Sequence, residues 1–329
     1  MNEYTVVSSR VRLARNFADM RFSSRASLED AEYIAQKIVS AAKSVTDGSF
    51  YSMASLKDEE KSYLVERHLI SPALAISQYG AVYISKDKQR SIMIMEEDHV
   101  RSQTFLRGLS LDKCFESVKE YDLSLRSKVR LAYDKQFGYL TSCPTNVGTG
   151  MRASVMMFLP GLTFLNKIDE LEEELRKANL TIRGSLGEGS KGDGCCYQIS
   201  NAVSLGVTEE TILNRVSSAA ERIVDIESNI LSDYYEMDKL RLEDAVYRSV
   251  AILGAARTLS QKELESSMVY WKIGASLGIV SPCPFDPDEI LLMCKPYSIV
   301  QLTNCGDSPV ERDVARAEFI RNLIQSKEG

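Results

Sequence analysis

The sequence predicts an α+β protein, in which a domain with a mostly antiparallel sheet flanked by helices is followed by a small all-α C-terminal domain. Strand-like runs alternate with helical runs in the first part of the chain, and two of the strand-like runs are joined by a turn-like KDKQR segment. Beyond residues 234–238 only helical periodicity returns. The predicted domains are therefore 1–237 and 238–329, which suits a length of 329 residues.

The first elements are a helix and a hairpin. Residues 27–44 predict a helix, because Ser27 is a typical N-cap, acidic residues occupy the first turn, and apolar residues recur at helical spacing. The runs GAVYIS and SIMIMEE flank KDKQR and predict two paired strands, with the acidic residues 96–98 at the end of the second. Residues 110–129 predict the next helix.

The middle of the chain predicts strands around a glycine turn and then a polar loop. FGYLTSCP and RASVMMFLP are the predicted strands, and FLNKIDELEEELRKA is the predicted third helix. The segment 182–196, IRGSLGEGSKGDGCC, contains five glycines and mixed charge, so a mobile loop is expected before YQISN resumes a strand. Helical periodicity begins at Thr208.

Composition excludes several classes of function. The formal net charge is -6, which gives no reason to expect direct binding to nucleic acid or to an anionic membrane. No apolar run reaches the roughly 18 residues of a membrane span, and the N-terminus has no signal-peptide core, so a cytoplasmic protein is expected. Seven cysteines without a CxxC pair, together with two histidines, do not suggest a disulfide framework or a zinc site.

Five arginines lie beside predicted strand ends or glycine-rich segments, where a polyphosphate could be held. Guanidinium groups are permanently charged and match phosphate oxygens bidentately. For any one of them a solvated or salt-bridged surface role is the alternative. GEGSKG is not a P-loop, because Ser190 precedes Lys191. The candidates are Arg10, Arg12, Arg101, Arg152 and Arg183.

Carboxylates and a cysteine complete the chemical pattern. Side chains alternate along a strand, so Glu97 is expected to enter a site while Glu96 and Asp98 face elsewhere; a solvated hairpin end is the alternative. Glu188 lies in the polar loop, and Cys143 precedes the glycine turn. A guanidinium acceptor has a pKa above about 12, so carboxylates would orient it and receive its proton during phosphoryl transfer.

The motifs resemble those of the phosphagen kinases. CPTNVGT at residues 143–149 is similar to the signature of that family, and SSRVR, EEDHVR, RASV, RGSLGE and ISN occur in the family's order over roughly residues 5–235. RDVARA at residues 312–317 resembles the phosphoarginine-binding motif of the McsB-type protein arginine kinases. SSRVR begins at residue 8, so the large N-terminal helical domain of the metabolic kinases is expected to be missing.

The resemblance implies roles for individual residues. Glu97 would be the catalytic base, Glu188 a second carboxylate on the substrate and Cys143 the active-site thiol. The residues implied in ATP binding are Ser8, Ser9, Arg10, Val11, Arg12, His68, Arg101, Arg152, Ala153, Ser154, Val155, Met156, Arg183, Gly184, Ser185, Leu186 and Gly187. The residues implied in allosteric phosphoarginine binding are Arg312, Asp313, Arg316 and Ala317.

The resemblance also implies cofactors and partners. ATP would be the phosphoryl donor, with Mg²⁺ bound through ATP rather than by protein ligands. Proteins with exposed arginines would be the substrates, marked for ClpC-ClpP degradation, and a homodimer, a CtsR-type repressor and an McsA-type activator would be partners. Met95 and Met156 depart from the metabolic members and argue against a small phosphagen substrate. A small-molecule arginine kinase and a silent phosphoarginine-binding adaptor remain the alternatives.

Overall fold

The structure is a computed structural model that describes residues 4–184 and 193–328. Its strands are β1 Val6–Arg15, β2 Gly48–Ser52, β3 Ala81–Ser85, β4 Arg90–Ile94, β5 Val100–Arg107, β6 Tyr133–Asp134, β7 Gly138–Tyr139, β8 Met151–Phe158, β9 Leu180–Gly184 and β10 Cys196–Asn201. Its helices are α1 Leu28–Lys43, α2 Asp58–Glu66, α3 Pro72–Ala75, α4 Leu111–Arg126, α5 Pro160–Phe164, α6 Ile168–Lys177, α7 Glu209–Met237, α8 Lys239–Ala255, α9 Gln261–Ser276, α10 Pro287–Met293, α11 Pro296–Thr303 and α12 Pro309–Glu328.

The described strands form one large sheet and a small ribbon. The large sheet has eight strands in the order β2-β3-β4-β5-β1-β8-β10-β9. Every neighbouring pair in it is antiparallel, and β6 pairs with β7 in the ribbon. The predicted α+β class with a mostly antiparallel sheet and a helical C-terminal part is confirmed.

One face of the sheet, here called the back face, is covered by helices. Alternate residues of the central strands, such as Val11, Leu13 and Val155, pack there against α4 and α7 in the largest apolar cluster. Helix α1 continues this layer over β3 and β4, where Ile34 and Ile92 belong to a second cluster. Because the back face is buried in this way, polar functional side chains of the sheet are expected on the opposite face.

Among residues 4–184 and 193–328, the opposite face, here called the front face, is covered only at its ends. Leu64 of α2 and Leu74 of α3 pack on Val82 and Met93, at the β3–β4 end of the sheet. Near the other end, the helical C-terminal part meets the ring of Phe158, over which the ammonium of Lys272 lies 4.0 Å from the centroid. The central strands between these two regions form the floor of a cleft.

Most predicted elements of the first part are confirmed. Helix α1 begins after Ser27, whose hydroxyl accepts the Asp30 N–H in a capping box. The predicted hairpin is β3–β4, and the second predicted helix is α4. Helix α7 starts after Thr208 as expected, with that side chain as its N-cap.

Two predicted elements are wrong in extent. FGYLTSCP contains only the two-residue strand β7, after which the chain enters a 3₁₀ turn at Pro144–Asn146. The predicted third helix, residues 164–178, corresponds to α6, which begins only at Ile168, because Asn166 takes a left-handed conformation with φ 54° between α5 and α6. Helix α5 is held by buried Glu227, whose carboxylate accepts the N–H groups of Gly161 and Leu162 at 2.6 and 3.0 Å.

The described chain beyond α7 is helical. Asp238, with φ -149° and ψ 60°, separates α7 from α8, and helices α8–α12 enclose an apolar cluster that includes Trp271 and Ile320. The division into domains at 237/238 stays a prediction. No helix within residues 4–184 and 193–328 has the length and apolar character needed to cross a bilayer.

Candidate active site

The strand register brings all five candidate arginines to the front face. Residues directly opposite each other in an antiparallel pair share a face, and β1 pairs Arg12 with Arg152 on one side and Ala14 with Arg101 on the other. Two residues before Arg12 on β1, Arg10 has the same orientation. Arg183 joins the set through Gln198, which also pairs with Met156 of β8. The five guanidinium groups therefore share one floor.

Close packing of these cations perturbs their ionisation. Desolvation, followed by the charges of Arg101 and Arg152, lowers the pKa of Arg10 to about 10. Desolvation and the charges of Arg10, Arg101 and Arg152 hold the pKa of Arg12 well below its ordinary value. Both side chains keep partial solvent contact in the cleft, so an anion that enters it would relieve the repulsion.

Polar side chains fix the guanidinium groups in place. Arg10 Nη2 donates to Gln198 Oε1 at 2.9 Å, and Arg152 Nη2 donates to Ser200 Oγ at 3.0 Å. Arg12 Nε is buried and has no hydrogen-bond partner among the described residues. A buried donor of this kind is expected to meet an acceptor when the site binds its ligand.

Glu96 lies in the cleft, contrary to the sequence prediction. Both of its carboxylate oxygens accept from Arg101 Nη1, at 2.7 and 2.6 Å, and one also accepts from Ser71 Oγ. The prediction assumed strand alternation, but β4 ends at Ile94 and Met95 has φ 58°. This turn breaks the alternation and directs Glu96 towards the arginines, whereas Asp98 is buried as expected.

Glu97 stands at the mouth of an open cavity of about 620 Å³ beside the arginine floor. Partial desolvation raises the pKa of this exposed carboxylate, the charges of Asp98 and Glu96 raise it further, and the charge of Arg101 opposes them. A carboxylate with a raised pKa is better suited to accept a proton near neutral pH. The residues lining the cavity are Ser71, Pro72, Ala73, Ser77, Glu96, Glu97 and Arg101.

The segment with Cys143 is tied to the acidic segment. Ser142 donates from Oγ to the Glu97 carbonyl at 2.8 Å and from its N–H to Asp98 Oδ1 at 2.7 Å. The half-buried Cys143 follows directly, with Sγ 2.9 Å from Thr145 Oγ1. The residue before Cys143 thus contacts the backbone of Glu97, and a catalytic role for Cys143 stays a prediction.

His68 lies beside the arginine floor in a left-handed conformation with φ 57°. Its carbonyl accepts from Gln103 Nε2 at 2.8 Å, and Gln103 is the β5 partner of Arg12. The imidazole is exposed to the cleft, yet crowding by protein atoms and the charges of Lys295, Arg10 and Arg67 lower its pKa far below 6.5. These neighbours favour the neutral imidazole of His68, which can accept a hydrogen bond.

Some residues of the predicted ATP-binding set do not line the cleft with their side chains. Ser9, Val11, Ala153 and Val155 are fully buried on the back face, because they alternate with the arginines along β1 and β8. Their part of the prediction is corrected: they pack beneath the floor. Ser8, Ser154 and Met156 share the arginine face, and Gly184 ends β9. The predicted residues Ser185, Leu186, Gly187 and Glu188, with the rest of residues 185–192, lie outside the described residues.

The RDVARA motif lies on α12, and its arginines already have protein partners. The buried Arg316 donates to the carbonyls of Cys294 and Leu259 at 3.0 and 2.7 Å and pairs with Asp313 at 2.7 Å. Arg312 pairs with Asp307 at 2.8 Å, and Ala317 is buried. Arg316 thus joins three segments of the helical part.

Sequence reasoning missed three groups at the site. Glu96, Ser71 and Gln198 hold Arg101 or Arg10 in the cleft. Gln198 carries a weak signal, since its place in YQISN alternates with the buried Tyr197 and Ile199. Ser71 carries none, because its contact with Glu96 spans 25 positions.

Comparison with known proteins defines the class. Residues 30–230 match the family model for the ATP:guanido phosphotransferase C-terminal catalytic domain, and residues 239–329 match that for the protein-arginine kinase McsB C-terminal domain. The fold is similar to a crystal structure of lombricine kinase, with a TM-score of 0.62, 21% identity and coverage of 71% of this chain and 70% of that one. The chain belongs to the ATP:guanido phosphotransferase family.

Full-length relatives identify the branch within that family. The chain is 38% identical over 325 residues to the protein-arginine kinase of Bacillus subtilis (strain 168). The aligned region covers 97% of this chain and 90% of that protein. The chain is 36% identical over 329 residues to the protein-arginine kinase of Caldanaerobacter subterraneus subsp. tengcongensis, covering 98% of both. Within the family, the chain therefore falls in the protein-arginine kinase branch.

Proposed function

We propose that the chain is a protein-arginine kinase that transfers the γ-phosphoryl group of ATP to arginine side chains of other proteins. The main support for this proposal is the strand register, which gathers five arginines on one face of the sheet, beside the carboxylates of Glu96 and Glu97. The protein-arginine kinases that share more than a third of its sequence over nearly the whole chain support this function.

The arginine floor fits a nucleotide polyphosphate. Guanidinium groups that lower one another's pKa gain stability when phosphate oxygens neutralise them. The buried Arg12 Nε would find its acceptor there. When Mg²⁺ is bound with ATP it neutralises charge on the phosphates; the protein groups proposed to hold the nucleotide are the five arginines and His68.

The acidic wall of the cavity fits the acceptor. In the proposed reaction a guanidinium nitrogen attacks the γ-phosphorus, a nitrogen–phosphorus bond forms, and the bond to the β,γ-bridging oxygen breaks as ADP leaves. The proton lost by the nitrogen passes to the Glu97 carboxylate. The arginines stabilise the charge that develops on the transferred group.

The open mouth of the cavity supports a protein substrate. Pro72 and Ala73 on its rim are exposed, as is Glu97, so an arginine side chain carried on a polypeptide has access. Marking of clients for ClpC-ClpP degradation, a CtsR-type repressor, an McsA-type activator, a homodimer and a cytoplasmic location stay proposals that the resemblance implies. Phosphoarginine binding at residues 312–317 is likewise a proposal.

The function is tested with Glu97→Gln. The wild type and the variant are incubated with ATP-Mg and an unfolded basic protein, and the acid-labile phosphorus–nitrogen signal is followed by phosphorus NMR. Removal of the base should lower turnover by about 10²–10⁴-fold while the Kd for ATP stays unchanged. Unchanged arginine phosphorylation in Glu97→Gln would reject the assigned base.

Two controls complete the experiment. Glu172→Gln changes an exposed carboxylate on α6, and it should leave turnover and affinity unchanged. Free arginine replaces the protein substrate in a parallel reaction. A wild-type enzyme that phosphorylates free arginine but not the protein would favour the small-molecule kinase instead, and ATP binding without any turnover would favour the silent adaptor.

A further inference from the structure

The segment between α10 and α11 docks beside the nucleotide cleft. Glu66, at the end of α2, accepts the N–H groups of Tyr297 and Ser298 at 3.1 and 2.9 Å. The adjacent Arg67 pairs with Glu289 of α10 at 2.7 Å. His68 is the next residue, so these contacts bring the N-terminus of α11 to the edge of the proposed ATP site.

Lys295 is the residue of this segment that precedes α11. Its backbone is held from both sides, because Arg316 Nε donates to the carbonyl of Cys294 at 3.0 Å and Glu66 binds the residues that follow. Arg316 is itself buried and also binds the carbonyl of Leu259. Hydrogen bonds on both sides of Lys295 therefore fix the location of its backbone.

Lys295 is half-buried, and its ammonium forms no hydrogen bond or ion pair with residues 4–184 or 193–328. Desolvation lowers its pKa, with an added contribution from Arg67, while the charges of Glu66 and Glu265 oppose the shift. Both carboxylates are engaged elsewhere, Glu66 by α11 and Glu265 by Gln261. A partly desolvated ammonium without acceptors is costly, so an anionic ligand would stabilise it.

The anion that suits Lys295 is the nucleotide polyphosphate already proposed for the cleft. The positive charges of Lys295 and Arg10 both act on the His68 imidazole. The His68 carbonyl accepts a hydrogen bond from Gln103, which is paired with Arg12 across β1 and β5. Lys295 and Arg10 thus both lie close enough to His68 for their charges to act on its imidazole.

We propose that Lys295 binds a phosphate group of the nucleotide, so that the helical C-terminal segment supplies a sixth cation to the site. This inference rests on the proposed function, since it takes ATP as the ligand. In this proposal, both the sheet and the helical C-terminal segment contribute residues to the nucleotide site.

The test measures binding without turnover. Dissociation constants for ADP and for adenosine are determined by calorimetry for the full-length wild type, Lys295→Met, Lys295→Arg and the control Lys262→Met, which removes an exposed lysine of α9. Lys295→Met should weaken ADP binding by about tenfold, the scale of one lost charge-assisted hydrogen bond. Adenosine binding should not change, Lys295→Arg should keep most of the ADP affinity, and Lys262→Met should behave as the wild type.

Two results would overturn the proposal. One is an ADP affinity that is unchanged in Lys295→Met, and the other is an equal loss for ADP and adenosine, which would indicate a structural role. Repeating the comparison in the Glu97→Gln background keeps the two proposals separate. If Lys295→Met still weakens ADP binding in that background, the role of Lys295 is supported even where phosphoryl transfer fails. If the wild type phosphorylates proteins but Lys295→Met leaves ADP binding unchanged, only the proposal for Lys295 is rejected.

Discussion

Glu96 acts on two neighbouring residues, Arg101 and Glu97. The Glu96 carboxylate accepts both hydrogen bonds from Arg101 Nη1, which fixes one member of the arginine floor. The same negative charge raises the pKa of Glu97, whereas Arg101 lowers it. Glu96 therefore helps to set the pH range in which the proposed base is deprotonated.

The variant Glu96→Gln should shift the pH dependence of the reaction. The base works when deprotonated, so kcat/KM for the protein substrate falls as the pH drops through the pKa of Glu97 in the nucleotide-bound enzyme. Removing the charge of Glu96 and leaving Arg101 un-neutralised both lower the pKa of Glu97. The acid limb of the kcat/KM profile should therefore move to lower pH, which is measured from pH 5 to 9 with a saturating nucleotide.

The remote exchange Glu172→Gln is the control for that profile. It should leave the acid limb where it lies in the wild type. An acid limb that stays in place in Glu96→Gln, or moves to higher pH, would show that Glu97 is not the titrating group.

The segment from Cys143 to Gly150 depends on close backbone packing. Gly148 has φ 114°, and a Cβ built on it would lie 2.2 Å from the carbonyl oxygen of Ser204. The Ser204 hydroxyl in turn donates to the carbonyls of Thr145 and Val147 at 2.7 and 2.9 Å. The backbone after β10 thus holds the Cys143 segment in place, and a side chain at Gly148 would separate the two.

The variant Gly148→Ala should lose both stability and activity. The methyl group cannot fit against the Ser204 backbone, so the cost should exceed the roughly 1–2 kcal/mol of a left-handed alanine by about 2 kcal/mol. Urea denaturation measures the stability, and phosphoarginine formation measures kcat.

Gly206→Ala is the matched comparison for this loop. Gly206 also has a positive φ, 73°, but a Cβ there would meet no atom within 4 Å. It should show only the conformational cost and a normal kcat. Equal stability losses in the two variants would mean that the packing against Ser204 is unimportant.

At the scale of the whole molecule, the helical part and the sheet part are joined by polar contacts around α2. Glu66 accepts from two backbone N–H groups and the Ser298 hydroxyl at the start of α11. Arg67 pairs with Glu289, and Arg107 of β5 pairs with Asp286. Apolar contacts add to the junction, since Phe158 belongs to the same cluster as Leu242 and Ile273.

The variant Glu66→Ala should weaken this junction. It removes the carboxylate that binds the first turn of α11, which corresponds to the loss of a helix cap with charge-assisted hydrogen bonds, about 2 kcal/mol. The free energy of unfolding in urea should fall by that amount. Glu59→Ala, an exposed residue of the same helix, should change it by less than about 0.5 kcal/mol, and a similar small change in Glu66→Ala would argue against a stabilising junction.

Local pattern in the sequence determined the elements and part of the site. The capping residues Ser27 and Thr208 begin the helices that they predict. The spacing of Arg10 and Arg12 places both on one face of β1, because side-chain orientation along a strand depends only on chain geometry. The motifs around Cys143 were sufficient to indicate the family.

Only the tertiary structure decided which groups meet. The convergence of Arg101, Arg152 and Arg183 on Arg12 depends on the register of four strand pairings, which involve residues far apart in the chain. Glu96 was misplaced because the left-handed Met95 ended the alternation that the prediction assumed. Lys295 comes beside His68, 227 positions away, only through the docking of α11 on α2. Periodicity reports the direction of a side chain within its own element, whereas contacts between elements depend on how the whole chain packs.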